Sequence, residues 1–373
     1  MTFLLLQRRF ALSTLRSFGL GKNNMEQCIC QELQVLQEEI EKEKGILHRA
    51  HDRLLHHCLF NKAVSNIICQ LVMGKRFDYS DHNFQLMLKY LSEAVQLEGS
   101  IWGLVCSQRL SNLVTLYDSL PGLMKHLPGP HNNIFSNYGA LRNFIGEEVK
   151  RHKQDLDHNN PRDYIDAFII EMKNSDLGFS EANLTLCSLD LFLAGTETTA
   201  TTLLWALVYL IRNPDVQGGW HEEIDRVIGQ TRHPTMADRP NMPYTDAVIH
   251  EIQRIGNIVP LNGLRRAAQD TTLGGYYIPK VLSTQWETPD TFNPGHFLNA
   301  EGKFVKPEAF LPFSAGKRVC LGESLAKMEL FLFLVGLLQK FSFSVPDGVE
   351  LSTEGITGST RVPHPFKVNA KIR

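Results

Sequence analysis

The stretch FLPFSAGKRVCLG, residues 310–322, brings a cysteine to the start of a long apolar pattern. The apolar residues from Leu321 to Phe343 predict a helix, so the Cys320 thiol should lie at a helix N-terminus. Unpaired backbone N–H groups and the positive end of the helix dipole favour a thiolate there, and Arg318 adds a positive charge nearby. A thiolate in this position is a metal ligand or a nucleophile.

Small and aromatic residues surround this cysteine. Gly316 allows a turn or bulge that a Cβ would obstruct, and Gly322 would let a flat ring approach the backbone closely. Phe313 is placed to pack beside the sulfur and exclude water. No C-x-x-C partner accompanies Cys320, so a cysteine-rich zinc site is not expected, whereas a single thiolate on a haem iron is an established arrangement. The alternative is a buried, inert cysteine in a hairpin.

The full spacing, F-x-x-G-x-R-x-C-x-G, resembles the haem-binding signature of the cytochrome P-450 family, the haem-thiolate monooxygenases. The resemblance implies haem b as the cofactor, with Cys320 as the axial ligand that pushes electron density onto the iron and favours O–O cleavage. Phe313, Gly316, Arg318 and Gly322 would then be cofactor-binding residues. The expected fold is mainly α, with a large helical domain around the haem.

Composition limits the class of protein. The chain has 373 residues, a formal net charge of −2 at pH 7 and seven cysteines. Because there is no global basic field, nucleic acid is not an expected partner. The odd number of cysteines, without disulfide-framework spacing, fits a reducing compartment. No internal repeat or low-complexity linker is seen, so a single domain, residues 1–373, is expected.

Residues 180–211 are apolar on nearly all sides and predict a helix in the centre of a large domain or in a membrane. Asp190 and the threonines favour the protein interior, because the uncharged run at residues 198–211 is shorter than a membrane crossing. Within the helix lies AGTETT, residues 194–199, where a glycine and a carboxylate cost stability. Such a departure from local rules marks either function or a polar crossing with another helix.

In the family that the chain resembles, this element crosses the distal face of the haem. The resemblance implies that Ala194 and Gly195 lie beside the cofactor and that Gly195 leaves room for dioxygen. Glu197 and Thr198 would relay protons to the bound oxygen. Proton delivery needs a hydroxyl next to the ligand and a carboxylate that solvent can refill, and these adjacent positions supply both.

A third motif lies in the helix predicted for residues 244–255. Glu251 and Arg254 are separated by three positions and face the same side of the helix. Such a pair is by default a surface ion pair of small energetic value. Here it matches the E-x-x-R motif of the family, which is buried and locked to a third residue. His296 occupies that third position, a variant typical of the vertebrate microsomal subgroup that oxidises drugs and fatty acids.

The chain also departs from the family pattern. It starts where the third major helix should be, so we expect an N-terminally truncated member without the anchor helix and early strands. Arg8 and Arg265 match propionate-binding arginines, while Leu4 stands where a tryptophan is expected. Between Pro279 and Trp286 the chain is roughly a dozen residues short, which indicates an internal deletion. The β-sheet subdomain should therefore be reduced and incomplete.

Partners and location follow from the resemblance. The reaction implied is insertion of one oxygen atom from O2 into a small lipophilic substrate: a xenobiotic, a fatty acid or a steroid-like molecule. Electrons would come from NADPH–cytochrome P-450 reductase, with cytochrome b5 as a second partner, and Lys317 and Arg318 would help to dock the reductase. The alternative for these charges is solvated surface.

The family location is the cytoplasmic face of the endoplasmic reticulum membrane. Without the anchor helix, a peripheral or cytoplasmic location is the alternative, with membrane contact through residues 100–130. A different class of function is also open: a non-catalytic haem binder, or a splice-type fragment that misfolds or competes for the reductase. Carbon monoxide difference spectroscopy separates these alternatives from a monooxygenase.

Overall fold

The structure, a computed structural model, describes residues 2–19, 23–42, 46–47, 55–98, 129–174, 178–260 and 286–373. Three features named above lie wholly or largely outside these ranges: Arg265, the apolar segment 100–130, and the connection between Pro279 and Trp286. The site residues discussed below are otherwise all within the described part of the chain.

Helices make up most of the described residues. In chain order they are α1 (Thr2–Ser17), α2 (Asn23–Lys42), α3 (Leu55–Met73), α4 (His82–Glu98), α5 (Pro130–Gln154), α6 (Tyr164–Asn174), α7 (Glu181–Arg212), α8 (Pro214–Val227), α9 (Pro243–Gly256) and α10 (Glu323–Lys340). Short 3-10 turns lie at Arg239–Asn241, Pro294–Phe297 and Gly316–Arg318.

Helix α7 is the centre of the core. Its first turn is capped by Ser180, whose hydroxyl accepts a hydrogen bond from the Asn183 N–H at 3.3 Å. After Arg212 a single residue separates it from α8, which begins at Pro214 because proline fits the first position of a helix. The helix therefore matches the range predicted from the sequence, 180–211, within one residue at each end.

The length and composition of α7 would allow it to cross a membrane, but its packing is that of a core helix. Of its most apolar 18-residue window, 72% is buried inside the protein. It contacts α3, α5, α8, α9 and α10, and buries the rings of Trp205 and Tyr209. The predicted position in the protein interior agrees with this packing.

Helix α10 is apolar on all sides and is buried from Met328 to Gln339. It packs against α2 with a very close approach at Gly336, where an added Cβ would overlap the side chain of Leu33. Across the same contact, the Gln37 side-chain amide donates a hydrogen bond to the Gly336 carbonyl at 2.8 Å. Glycine at this position is thus required by the distance between the two helices.

The β-structure is small and antiparallel. The strands are β1 (Ile46–Leu47), β2 (Phe341–Ser344), β3 (Gly355–Thr357), β4 (Arg361–Pro363) and β5 (Val368–Ile372). One sheet has the order β1-β5-β2, and β3 pairs with β4. Strand β2 follows α10 without a loop, and Phe341 pairs with Ile372. The predicted fold class, mainly α with a reduced β-sheet subdomain, is confirmed.

Candidate functional site

The cysteine loop, residues 310–322, is closed by its own backbone hydrogen bonds. The Cys320 N–H donates to the Phe313 carbonyl at 2.9 Å, and the Val319 N–H donates to the Gly316 carbonyl at 3.1 Å. Gly316 has φ 75° and Ser314 has φ 63°, both in the left-handed region. A Cβ at Gly316 would meet no atom within 4 Å, so glycine is favoured there by backbone conformation and not by space.

The thiol lies two residues before Gly322, the N-cap of α10. Burial is the largest influence on Cys320 and raises its pKa, while a hydrogen bond from the Gly322 N–H lowers it. The Glu323 carboxylate raises this pKa, and the Arg8 guanidinium and the Glu323 N–H lower it. Cys320 is nevertheless exposed at the surface of the protein.

The sequence predictions about this thiol hold in part. The backbone N–H groups at the helix N-terminus lower the pKa of Cys320 as expected, but desolvation outweighs them and the net direction is upward. The positive charge that acts on the sulfur belongs to Arg8 of α1, which donates a hydrogen bond to the Val319 carbonyl. A metal ion deprotonates a coordinating thiol outright, so the raised pKa does not prevent ligation.

The surroundings of the sulfur suit a flat ligand. The atom nearest to a Cβ added at Gly322 would be the Cys320 Sγ, at 3.9 Å, with no other contact within 4 Å. Glycine thus leaves a flat surface of backbone beside the sulfur. Phe313 is half-buried, and the Lys327 Nζ lies 5.9 Å from its ring centroid, so the ring lies against the start of α10. One open thiolate donor beside such a surface fits a haem iron.

In the middle of α7, Ala194 and Thr198 share one face. Ala194 is exposed, Thr198 is half-buried, and the Thr198 hydroxyl donates to the Ala194 carbonyl at 2.8 Å. Glu197, three residues after Ala194, is buried, with 4% of its surface exposed. The expected supply of protons from solvent to this carboxylate therefore depends on that small exposed fraction.

Gly195 has a packing role that the sequence did not predict. A Cβ at this position would lie 3.0 Å from the Ile68 Cδ1 of α3, so the missing side chain permits close packing of two helices. Ile68 thus fills the space that a side chain at position 195 would need, and the predicted room for dioxygen stays a prediction. The small residue on the open face of α7 is Ala194.

Two other threonines of the AGTETT segment form polar crossings between helices. The Ser65 hydroxyl of α3 donates to the Thr196 Oγ1 at 2.9 Å, and the Thr199 hydroxyl donates to the Glu329 Oε2 of α10 at 3.0 Å. The interpretation as a polar crossing between helices is confirmed, and the functional interpretation stays a prediction. One face carries Ala194 and Thr198, and the buried side is held by neighbouring helices.

The structure brings Glu251, Arg254 and His296 together in the interior. Arg254 donates two hydrogen bonds to the Glu251 carboxylate, at 2.7 and 2.8 Å. Side-chain exposure is 0% for Glu251, 8% for Arg254 and 4% for His296. The default expectation of a surface ion pair is therefore wrong, because both partners are withdrawn from water.

Further hydrogen bonds satisfy the remaining groups of this ion pair. Arg254 also donates to the carbonyls of Pro289 and Thr291, at 2.7 and 2.9 Å. The Thr288 N–H, which can only donate, points at the His296 Nε2 at 3.3 Å. The Nδ1 of His296 therefore carries the proton and donates to the Glu251 oxygens, both at 3.3 Å. A buried pair with this many partners is rigid.

An aromatic cluster connects this ion pair to the cysteine loop. His250 precedes Glu251 in α9, and its ring centroid lies 5.2 Å from that of Phe310, the first residue of the loop. The ring of Phe310 meets Phe297 edge-on at 4.9 Å, and His250 lies 4.6 Å from Phe304. The sequence analysis did not predict this cluster, although Phe304 lies six residues before the loop and Phe310 begins it.

The His250 ring is expected to make the protein sensitive to acid. Burial lowers the pKa of His250 to about 4, against an ordinary value of 6.5. Because the unfolded chain takes up this proton at higher pH than the folded one, stability should fall as pH decreases from about 6.5 to about 4, by an amount on the order of 3 kcal/mol. Unfolding in denaturant at several pH values measures this fall.

The variant His250→Gln should flatten the acid side of that profile, even if lost ring packing lowers stability at neutral pH. The exposed His82, changed to Gln, is the matched control and should keep the wild-type profile. An acid slope in His250→Gln equal to that of the wild type would contradict the assignment.

The comparisons with known proteins agree with this geometry. The family model Cytochrome P450 matches residues 4–370. The chain belongs to the cytochrome P450 family. It is 49% identical to Cytochrome P450 2J3 of Rattus norvegicus over 93% of this chain and 69% of that protein. It is 47% identical to Cytochrome P450 2J2 of Homo sapiens, over 96% and 71%, and 42% identical to Cytochrome P450 2B4 of Oryctolagus cuniculus, over 98% and 75%.

Membership of the cytochrome P450 family makes the chain a haem-dependent monooxygenase whose iron has a cysteine thiolate as axial ligand. Enzymes of this family use dioxygen, a lipophilic substrate and electrons from a redox partner. The exposed sulfur of Cys320 and the flat surface at Gly322 fit this cofactor. Arg265, the second predicted propionate ligand, lies outside the described residues.

A second cluster of metal-ligand types lies apart from this site. His152, Asp163 and Asp166 place their ligand atoms within 4.8 Å of one another and are buried. The His152 Nδ1 donates to the Glu148 carbonyl at 2.8 Å, and Arg162 binds Asp166 through two N–H groups. These atoms are engaged with protein partners, so the cluster joins α5 to α6 and is not assigned as a metal centre.

Proposed function

We propose that this cytochrome P450 oxidises small lipophilic molecules, such as xenobiotics, fatty acids or steroid-like compounds, with Cys320 as the iron ligand. The observation that carries the proposal is the open face of α7, where Ala194 is exposed and the Thr198 hydroxyl is held one turn above it. An apolar side chain next to a hydroxyl suits a site that admits an apolar substrate and delivers a proton. The haem supplies activation of dioxygen and insertion of one oxygen atom into the substrate.

The protein residues have separate tasks in this proposal. Thr198 Oγ1 holds a proton at the oxygen side, and its hydrogen bond to the Ala194 carbonyl fixes the orientation of the hydroxyl. Glu197, next in the chain, is the carboxylate from which that proton is replaced. Arg8 lies against the cysteine loop through the Val319 carbonyl, and its guanidinium is placed to bind a propionate. Phe313, Gly316 and Gly322 shape the surface at the thiolate.

We propose that NADPH–cytochrome P-450 reductase supplies the electrons, with cytochrome b5 as a second donor. Lys317 and Arg318 are exposed in the 3-10 turn of the cysteine loop, which favours an acidic partner at this face. By analogy with microsomal relatives, the proposed location is the endoplasmic reticulum membrane. We also propose that residues 1–373 form one domain.

The test starts with spectroscopy and continues with turnover. The reduced protein should give a red-shifted, thiolate-type Soret band with carbon monoxide, and with reductase and NADPH it should oxidise a medium-chain fatty acid. Absence of the band would reject the monooxygenase function and favour the alternative of a non-catalytic haem binder or a misfolded fragment. A normal band without oxidation of any lipophilic probe would reject the proposed substrate class.

The variant Thr198→Val tests the assigned proton donor. Because it removes the hydroxyl at the oxygen side, product per NADPH consumed should fall to roughly a tenth or less, with hydrogen peroxide released instead. Product and peroxide are measured together. Thr185, a buried threonine of α7 whose hydroxyl also donates to a backbone carbonyl, provides the control, and Thr185→Val should keep the wild-type ratio. A wild-type ratio in Thr198→Val would remove this residue from the proposed relay.

A further inference from the structure

Glu329 is a buried acid on the helix that begins beside the thiolate. It lies nine residues after Cys320 and six after the start of α10 at Glu323, about 9 Å along the helix axis. The residue is 1% exposed. Its Oε2 accepts the hydrogen bond from the Thr199 hydroxyl at 3.0 Å. Its Oε1 is buried and has no hydrogen-bond partner among the described residues.

The surroundings of Glu329 favour its neutral form. An ionised carboxylate in the interior requires several donors or an opposite charge, and the single donor here is a neutral hydroxyl. Burial raises the pKa of Glu329 to about 8, and the Thr199 hydrogen bond lowers it only in part. The carboxyl group therefore retains its proton at neutral pH.

No charged group of the described chain contributes to this shift. The helices packed against α10 are α2, α7, α8 and α9. Each of these four helices has one buried carboxylate: Glu32, Glu197, Glu223 and Glu251. Glu32 binds Arg76, and Glu251 binds Arg254. Glu223 accepts hydrogen bonds from the Tyr244 and Thr245 N–H groups. His250 of α9 is the buried titratable base of the same set. The titration of Glu329 is thus governed by its own burial and by Thr199.

Thr199 connects this acid to the oxygen side of the proposed active site. It is 3% exposed and lies next to Thr198, on the buried side of α7, whereas Thr198 lies on the open face. Glu329 therefore does not reach the reacting atoms. Its hydrogen bond instead ties the AGTETT segment to the helix that begins beside the iron ligand.

We propose that Glu329 is a positioning residue for oxygen activation: as a neutral acid it holds Thr199, and thereby fixes Glu197 and Thr198 relative to the helix that starts beside Cys320. The proposal rests on the role given to Thr198 above. When the carboxyl group loses its proton, a charge appears in an apolar interior, and α7 and α10 must shift or admit water to solvate it. Coupling of electron consumption to product should then fall as the pH rises through about 8.

The experiment compares four variants of the haem-loaded enzyme. Glu329→Gln keeps an acceptor for Thr199 and cannot ionise, whereas Glu329→Leu and Thr199→Val each remove the hydrogen bond. Glu354→Gln, an exposed glutamate, is the matched control. The product-to-peroxide ratio is measured from about pH 6.5 to about pH 9. Infrared difference spectra over the same range follow the C=O stretch of a protonated carboxyl group, which does not depend on turnover.

The expected wild-type result is a fall in the product-to-peroxide ratio with a midpoint near pH 8, accompanied by loss of the carboxyl band. Glu329→Gln should lack both the fall and the band, and Glu354→Gln should show both. Glu329→Leu and Thr199→Val should each have a product-to-peroxide ratio about tenfold lower at every pH. Each variant lacks the hydrogen bond between Thr199 and residue 329 that holds the AGTETT segment in place. A fifth variant, the double substitution Glu329→Leu with Thr199→Val, should have a ratio no lower than that of either single variant.

An alkaline fall in Glu329→Gln with the wild-type midpoint would overturn the proposal. So would a carboxyl band that persists in that variant, or a normal ratio in Thr199→Val. If Glu329→Leu does not fold, Glu329→Gln and Thr199→Val still decide the outcome. If the wild type forms no product, the proposed function fails, and the infrared titration alone decides whether Glu329 is the neutral acid described here.

Discussion

Replacement of Cys320 by alanine is expected to abolish the thiolate-type Soret band of the reduced carbon monoxide complex, together with all monooxygenase activity. The thiolate is the sole protein ligand that we assign to the iron, and an alanine side chain has no donor atom. The loop itself should persist, because its closure depends on backbone hydrogen bonds, such as that from the Cys320 N–H to the Phe313 carbonyl. The effect should therefore be on haem binding and not on folding of the loop.

The measurement is the spectrum and the haem content of purified protein, with circular dichroism to show that the helices remain. Cys28→Ala is the matched control, since Cys28 is a half-buried cysteine in α2. It should keep the wild-type spectrum. An unchanged band in Cys320→Ala would mean that the iron ligand had been assigned to the wrong residue.

The second large effect is expected from Glu251→Ala. This substitution leaves the Arg254 guanidinium in the interior without its carboxylate, and an uncompensated buried charge costs about 3–5 kcal/mol. It also removes the acceptor of the Asn293 N–H, which lies 2.7 Å from the Glu251 Oε1. Denaturant unfolding should show a lower midpoint, and haem retention on gel filtration should fall with it.

Two controls separate a buried pair from a surface pair. Glu147→Ala removes the partner of Lys150, and the side chains of that pair are 67% and 63% exposed, so the cost should be below about 1 kcal/mol. The double variant Glu251→Gln with Arg254→Met should be less destabilised than Glu251→Ala, because no buried charge remains. Equal losses of stability for Glu251→Ala and Glu147→Ala would contradict the buried geometry.

Most of the helical fold was accessible from the sequence, because apolar periodicity and terminal residues are local signals. The helix predicted for residues 244–255 is found at Pro243–Gly256. The apolar pattern from Leu321 to Phe343 did not show where α10 ends, since Phe341 continues the pattern as the first residue of β2. A buried strand and a buried helix look alike over so few residues. The strands β2 to β5 depend on pairing between distant segments and were not predicted.

The parts of the site that follow from the spacing of sequence motifs could be predicted. The residues of the cysteine loop and the Glu251–Arg254 pair were identified from spacing, and the structure brings the pair to His296. The net rise in the Cys320 pKa was not predicted, because desolvation depends on what packs around the sulfur. The packing role of Gly195 was missed for a similar reason, since its neighbour Ile68 is distant in sequence. Glu329 was missed although a carboxylate in the apolar run 325–338 is the same signal that singled out Glu197.

The close approach of α2 and α10 at Gly336 has an evolutionary consequence. A side chain at position 336 would require the space that Leu33 fills, so the two positions cannot change independently. Among homologous sequences, a larger residue at 336 should occur together with a smaller one at 33, and the pair should covary more strongly than either does with its sequence neighbours. Helix α10 begins beside Cys320. Substitutions at positions 33 and 336 are therefore expected to be limited to those that keep α10, and with it the iron ligand, in place.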